Sequence, residues 1–175
     1  NTCPGPHNDW WELTNIGDEP VNITGFRWND YPGTVGGGPT ITNAVVIQPG
    51  ESVILMESQS RDSFLQWWGE ENLPANLKCL VHNANGLTET GDEVTLWNQS
   101  ATDKDDYLDS VVFGAATQGA SFWFDYDVCP VSEFGLPSVE GECGAFRAAN
   151  ECDIGSPGWT RRTPPQLTTI QHNGA

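Results

Sequence analysis

The chain has 175 residues, nineteen of them Gly and twelve Pro, and its seven basic against twenty-four acidic residues give a net charge of −17. Such a length suits one ordinary domain plus tails, with enough chain to bury a core. An acidic field repels phosphate, which excludes nucleic acid and anionic membrane surfaces as partners, and no run reaches the roughly eighteen apolar residues of a membrane-spanning helix, which argues against membrane insertion.

Residues 1–8 form a Pro- and Gly-rich arm that is expected to lie extended on the surface. Asp9 to Asn15 predicts a first strand, with Trp11 and Leu13 on one face and Trp10, Glu12 and Thr14 on the other. After the turn Ile16-Gly17-Asp18-Glu19-Pro20, Val21 to Asn29 predicts a second strand with a bulge at Gly25, where its alternation slips. Tyr31 to Thr42 is a long Gly-rich loop. Ala44–Ile47 and Ser52–Glu57 bracket the Pro-Gly turn Gln48–Glu51. Ser60 to Trp68 is the one good helix: Phe64, Trp67 and Trp68 fall on one face, Ser60 can cap its start and Gly69 can end it.

Leu77–Val81 predicts a further strand. From Gly91 to Gly114 two alternating runs flank an acidic turn, the pattern of two half-buried strands. Ser121–Phe124 adds one more strand, and residues 125–159 read as an irregular wrap tied by cysteines. The composition changes near Thr163. Residues 164–175 are either a terminal strand or tail, or the start of a following β module, which leaves 9–163 as the main domain.

The five cysteines (Cys3, Cys79, Cys129, Cys143 and Cys152) contain no C-x-x-C pair, and His7, His82 and His172 are scattered. Disulfides in an oxidising compartment therefore fit better than zinc. Cys143–Cys152, closing Gly144–Glu151, is the first pairing to test, with Cys129 competing for either partner. The odd thiol is either buried and inert or bonds another chain. A start at Asn1 would suit a secreted protein whose signal peptide has been removed.

About seven short strands and one helix point to an all-β, immunoglobulin-like β-sandwich with a disulfide-tied C-terminal wrap. DWWELTNIGDEPVNITGFRWND resembles the opening of the lamin tail domain family, and VIQPGESVILMES resembles its Pro-Gly turn and following strand. GDEVTLWN with YLDSVVFG resembles its central hairpin, GASFWF the next strand, and GAFRAANECDIGSPGW the ending of its bacterial secreted members. The resemblance spans residues 9 to 159 and implies a non-catalytic module of a secreted or cell-surface protein. The cysteines, the acidity and the lack of a preceding coiled coil depart from nuclear lamins, so a filament role is not carried over.

Of the eight tryptophans, Trp11, Trp28 and Trp68 coincide with large apolar positions of the family's strands and are expected in the core. Trp10, Trp67, Trp97, Trp123 and Trp159 are the candidates for surface ligand contact. Asp103, Asp105, Asp106 and Asp109 form the densest acidic group, a candidate Ca²⁺ loop that lacks the EF-hand glycine and bidentate glutamate. A solvated turn that discourages edge pairing explains it better. Glu12, Asp30 and Asp125 cannot be paired across a cleft from sequence alone, each histidine reads as surface, and no nucleophile elbow or phosphate loop occurs. The triplets at Asn22 and Asn98 match the glycosylation acceptor pattern, which matters if the source is eukaryotic. The expected function is therefore adhesion or structural assembly, with protein partners or copies of itself, no enzyme activity and no cofactor. The alternative is a carbohydrate-binding module that holds polysaccharide for a linked hydrolase.

Overall fold

The computed structural model describes residues 8–30, 35, 38–83, 86–123 and 135–159. The fold is all-β with one helix. In chain order the first strands are β1 (Trp10–Thr14), β2 (Val21–Asn22), β3 (Arg27–Asn29), β4 (Val46–Ile47) and β5 (Ser52–Glu57). Helix α1 (Arg61–Trp68) follows, and then β6 (Lys78–His82), β7 (Asp92–Trp97) and β8 (Asp109–Phe113). The last are β9 (Phe122–Trp123), β10 (Leu136–Pro137), β11 (Phe146–Arg147) and β12 (Ile154–Gly155).

Two three-stranded sheets dominate, one ordered β1-β5-β6 and the other β3-β7-β8. Their apolar faces meet in one cluster. Val53 and Leu55 of β5, with Trp11, Leu13 and Leu80 beside them, share it with Trp28, Val94 and Leu96 of the other sheet. Strand β5 reads Ser-Val-Ile-Leu-Met-Glu without polar alternation because both of its faces are covered. Ile54 and Met56 point away from the first cluster into a second, built with Phe64, Leu65, Trp67 and Trp68 of α1. The first sheet is thus the middle layer between a sheet and a helix.

The helix forms as its caps dictate. Ser60 accepts a hydrogen bond from the Ser63 N–H at 3.2 Å, and the Gly69 N–H donates to the Leu65 carbonyl at 2.8 Å. Gly69 has φ +85°, a left-handed backbone that glycine adopts without steric cost. Helix α1 also carries the chain from β5 to β6, which pair in parallel. A parallel pair needs a long crossover of this kind, whereas β7 and β8 pair antiparallel across their short acidic turn.

The single strand expected over Val21–Asn29 is two. Gly25, at φ +84°, sits in a turn closed by the Phe26 N–H on the Ile23 carbonyl at 3.0 Å. The left-handed residue ends pairing instead of bulging it. Strand β2 then pairs with β4, and β3 with β7. The described part of the wrap is irregular with two-residue ladders, β9 with β10 and β11 with β12. It lies over the helix: Phe146 packs edge-on against Trp68 at 5.8 Å, and the Ala149 N–H donates to the Trp67 carbonyl at 3.0 Å.

Candidate functional site

The tryptophans are mostly internal. Trp28 and Trp68 are 2% and 1% exposed, as core positions should be, and Trp11 is half-buried against Trp28 at 5.1 Å. Trp97 and Trp67, expected as surface rings, are instead buried at 0% and 7% exposure. Trp67 and Trp68 pack against each other with ring centres 5.3 Å apart, and both meet the C-terminal segment: Trp68 stacks edge-on with Phe146, and the indole N–H of Trp67 donates to Asp153 Oδ2 at 2.8 Å. Trp97 donates to the Lys104 carbonyl at 2.9 Å and pins the acidic turn from beneath. Trp10 is half-buried and meets Phe64 and Trp68 edge-on, 5.6 Å from each. Trp123 is half-buried on β9, and only Trp159 stands among the exposed large apolar side chains.

The carboxylates of the acidic turn are engaged with the turn's own backbone and with Lys104. Asp106 Oδ2 accepts the backbone N–H groups of Thr102 and Asp103 at 3.1 and 3.0 Å, which holds its carboxyl below the ordinary range. Asp103 Oδ1 accepts from the Asp105 N–H at 3.0 Å, Asp105 pairs with the Lys104 ammonium, and Asp109 accepts from the Ser110 N–H at 2.9 Å. These oxygens brace the turn itself. Among the described residues no group of three or more His, Cys, Asp or Glu side chains is placed to hold a metal.

Sequence reasoning missed a repeated polar cluster. Thr14 lies opposite Ser52 across β1 and β5, and Glu12 Oε1 accepts from both hydroxyls at 3.1 and 2.8 Å. Thr95 lies opposite Ser110 across β7 and β8, and Glu93 Oε1 accepts from them at 2.6 and 3.4 Å. The repeated Glu-x-Thr of Glu12-Leu13-Thr14 and Glu93-Val94-Thr95 is the signal that could have revealed it. The Glu12 carboxylate is enclosed, although the residue keeps some surface. Burial pushes its pKa up despite hydrogen bonds from the Gly158 N–H, Ser52 and Thr14. Gly158 donates to Oε2 at 2.7 Å, so the C-terminal segment closes over the acid.

No protein-family model, curated protein or solved structure matches this chain. The lamin-tail resemblance therefore rests on the residues alone.

His82, expected at the surface, ends β6 with its ring half-buried 4.7 Å from Trp28; burial lowers its pKa, and nearby Asp30 opposes that shift. Cys79 is a free thiol, half-buried on β6, and burial pushes its pKa up to about 11 while Arg61 pulls the other way. Little thiolate forms at neutral pH in such a site, which makes this cysteine a poor nucleophile. Cys143 and Cys152 are in disulfide form, but no bridge between the two is found among the described residues. Asn22 is exposed at the end of β2, and Asn98 is half-buried just after β7. Cys3, Cys129, His7, His172, Asp125 and the segment 160–175 lie outside the described residues.

Proposed function

We propose that this chain is a non-catalytic module of lamin-tail type in a secreted or cell-surface protein, acting in adhesion or structural assembly through protein partners or copies of itself. Its two main sheets then form an immunoglobulin-like sandwich, and the shared apolar cluster of β1, β3, β5, β6 and β7 supports that reading. The disulfide form of Cys143 and Cys152 supports a tied C-terminal wrap.

The observation that carries the proposal is where apolar surface remains. The aromatic rings lie largely in the core, and the carboxylates of the acidic turn and the two Glu-Ser-Thr clusters hold the fold's own hydroxyls and amides. The outermost strands of the two main sheets, by contrast, keep exposed valines: Val81 on β6 at 56% and Val112 on β8 at 39%. An outer strand with exposed apolar side chains is a template for strand addition, and on β8 the Val112 carbonyl already accepts one such backbone bond, from the Gly135 N–H at 3.4 Å. The alternative of polysaccharide binding has Trp159 and Tyr107 as the exposed rings among the described residues.

Sedimentation velocity over a concentration series tests the assembly reading. Wild-type protein should associate, and the Val81→Lys/Val112→Lys double variant should shift at least tenfold towards monomer with its circular dichroism unchanged. A wild-type chain that stays monomeric and binds an immobilised polysaccharide through Trp159 would favour the alternative.

A further inference from the structure

We propose that Asn22 and Asn98 both carry N-linked glycans and that the two glycans stand side by side at one end of the molecule. The two acceptor triplets are 76 positions apart in sequence, yet the fold makes them neighbours. Gly25, just past the first triplet, lies against Gln99, the middle residue of the second, so that a Cβ on Gly25 would sit 3.3 Å from the Gln99 Cβ. Arg27 Nη2 bonds the carbonyls of Asn98 and Ala101 at 3.2 and 2.6 Å and holds the second triplet beside β3.

The two triplets share one local geometry. Asn22 Oδ1 accepts from the Thr24 N–H at 3.0 Å and its hydroxyl at 2.6 Å. Asn98 Oδ1 accepts from the Ser100 N–H at 2.8 Å and its hydroxyl at 2.7 Å. In each case the oxygen of the carboxamide is engaged, and its Nδ2, the atom that takes the sugar, donates to no partner among the described residues. Asn22 also lies opposite Val46 in the β2–β4 pair, and both are exposed. A glycan on Asn22 would lie over that valine. An Asn-x-Ser/Thr triplet closes such an Asx turn wherever it lies, so the inference is carried by the closeness of the two triplets in the fold and by their unengaged nitrogens.

The reaction is attack of each Nδ2 on the anomeric carbon of an oligosaccharide linked to polyprenyl pyrophosphate. The C–N bond forms as the C–O bond to pyrophosphate breaks, polyprenyl pyrophosphate leaves with the bonding pair, and the nitrogen loses a proton to a base of the transferase. The inference rests on the proposed export of the chain but not on its assembly role.

Tandem mass spectrometry of full-length protein from its native source tests it, with the cell and extracellular fractions collected separately. The peptides bearing Asn22 and Asn98 should both be glycosylated. Asn22→Gln and Asn98→Gln should each remove one glycan, and Thr24→Ser should keep the first. Thr24 also accepts from the Val45 N–H at 3.2 Å, so the serine variant separates loss of the acceptor from loss of the fold. Extracellular protein with both peptides bare overturns the glycosylation and leaves export standing, whereas bare protein confined to the cytosol overturns both.

Discussion

Glu12 shows how a residue's surroundings can outweigh its partners. Two hydroxyls and one amide stabilise its anion, yet enclosure beneath the C-terminal segment costs that anion more, and the pKa rises. A folded-state pKa above the unfolded one means that the native state holds the proton more tightly. The stability from this group is full below the ordinary glutamate value and is lost as pH rises through the raised one. Urea unfolding across mildly acidic pH should show that loss in wild-type protein and a flatter profile in Glu12→Gln. Parallel profiles would mean that Glu12 does not titrate differently in the two states. Trp97 belongs to the same scale: its alternation with Leu96 placed it on a solvent face, but the acidic turn folds back over it and accepts its N–H. A turn's path is not encoded in the strand's alternation.

At the scale of elements, helix α1 was legible from Ser60 to Gly69 because capping and apolar spacing are local. Replacing Ser60 with Ala should cost about 1 kcal/mol of stability through the loss of the N-cap, measured by chemical denaturation. No change would mean that water or another group takes over the capping of the Ser63 N–H. The hairpin of β7 and β8 was legible for the same reason, since a short turn forces antiparallel neighbours. Strands separated by longer connections were not. Apolar runs bounded by turn residues locate β5 and β6 but carry no direction, and their parallel pairing follows from the crossover through α1. Gly25 was recognised as a disturbance, but a bulge and a sheet-switching turn both begin with such a glycine. Which one forms depends on whether β2 and β3 find the same partner, and they do not.

For the whole molecule, a net charge of −17 sets a repulsion that the compact state concentrates. The thermal midpoint should therefore rise between roughly 0.01 M and roughly 1 M sodium chloride, as the screening length falls from about 30 Å to about 3 Å. A midpoint that stays level or falls would show that local ion pairs, such as Lys78 with Glu51 and Arg147 with Glu140, outweigh the general repulsion. The sequence by itself determined the all-β class, the helix with its caps, the central hairpin and the polar, turn-rich surface. Each depends on residues within a few positions of one another, where backbone geometry and side-chain spacing act directly. Tertiary structure decided which faces were covered twice, and so which tryptophans, acids and apolar edges remained exposed. Burial is a property of what packs on top, and here the covering elements come from residues up to 146 positions away, as with Gly158 on Glu12.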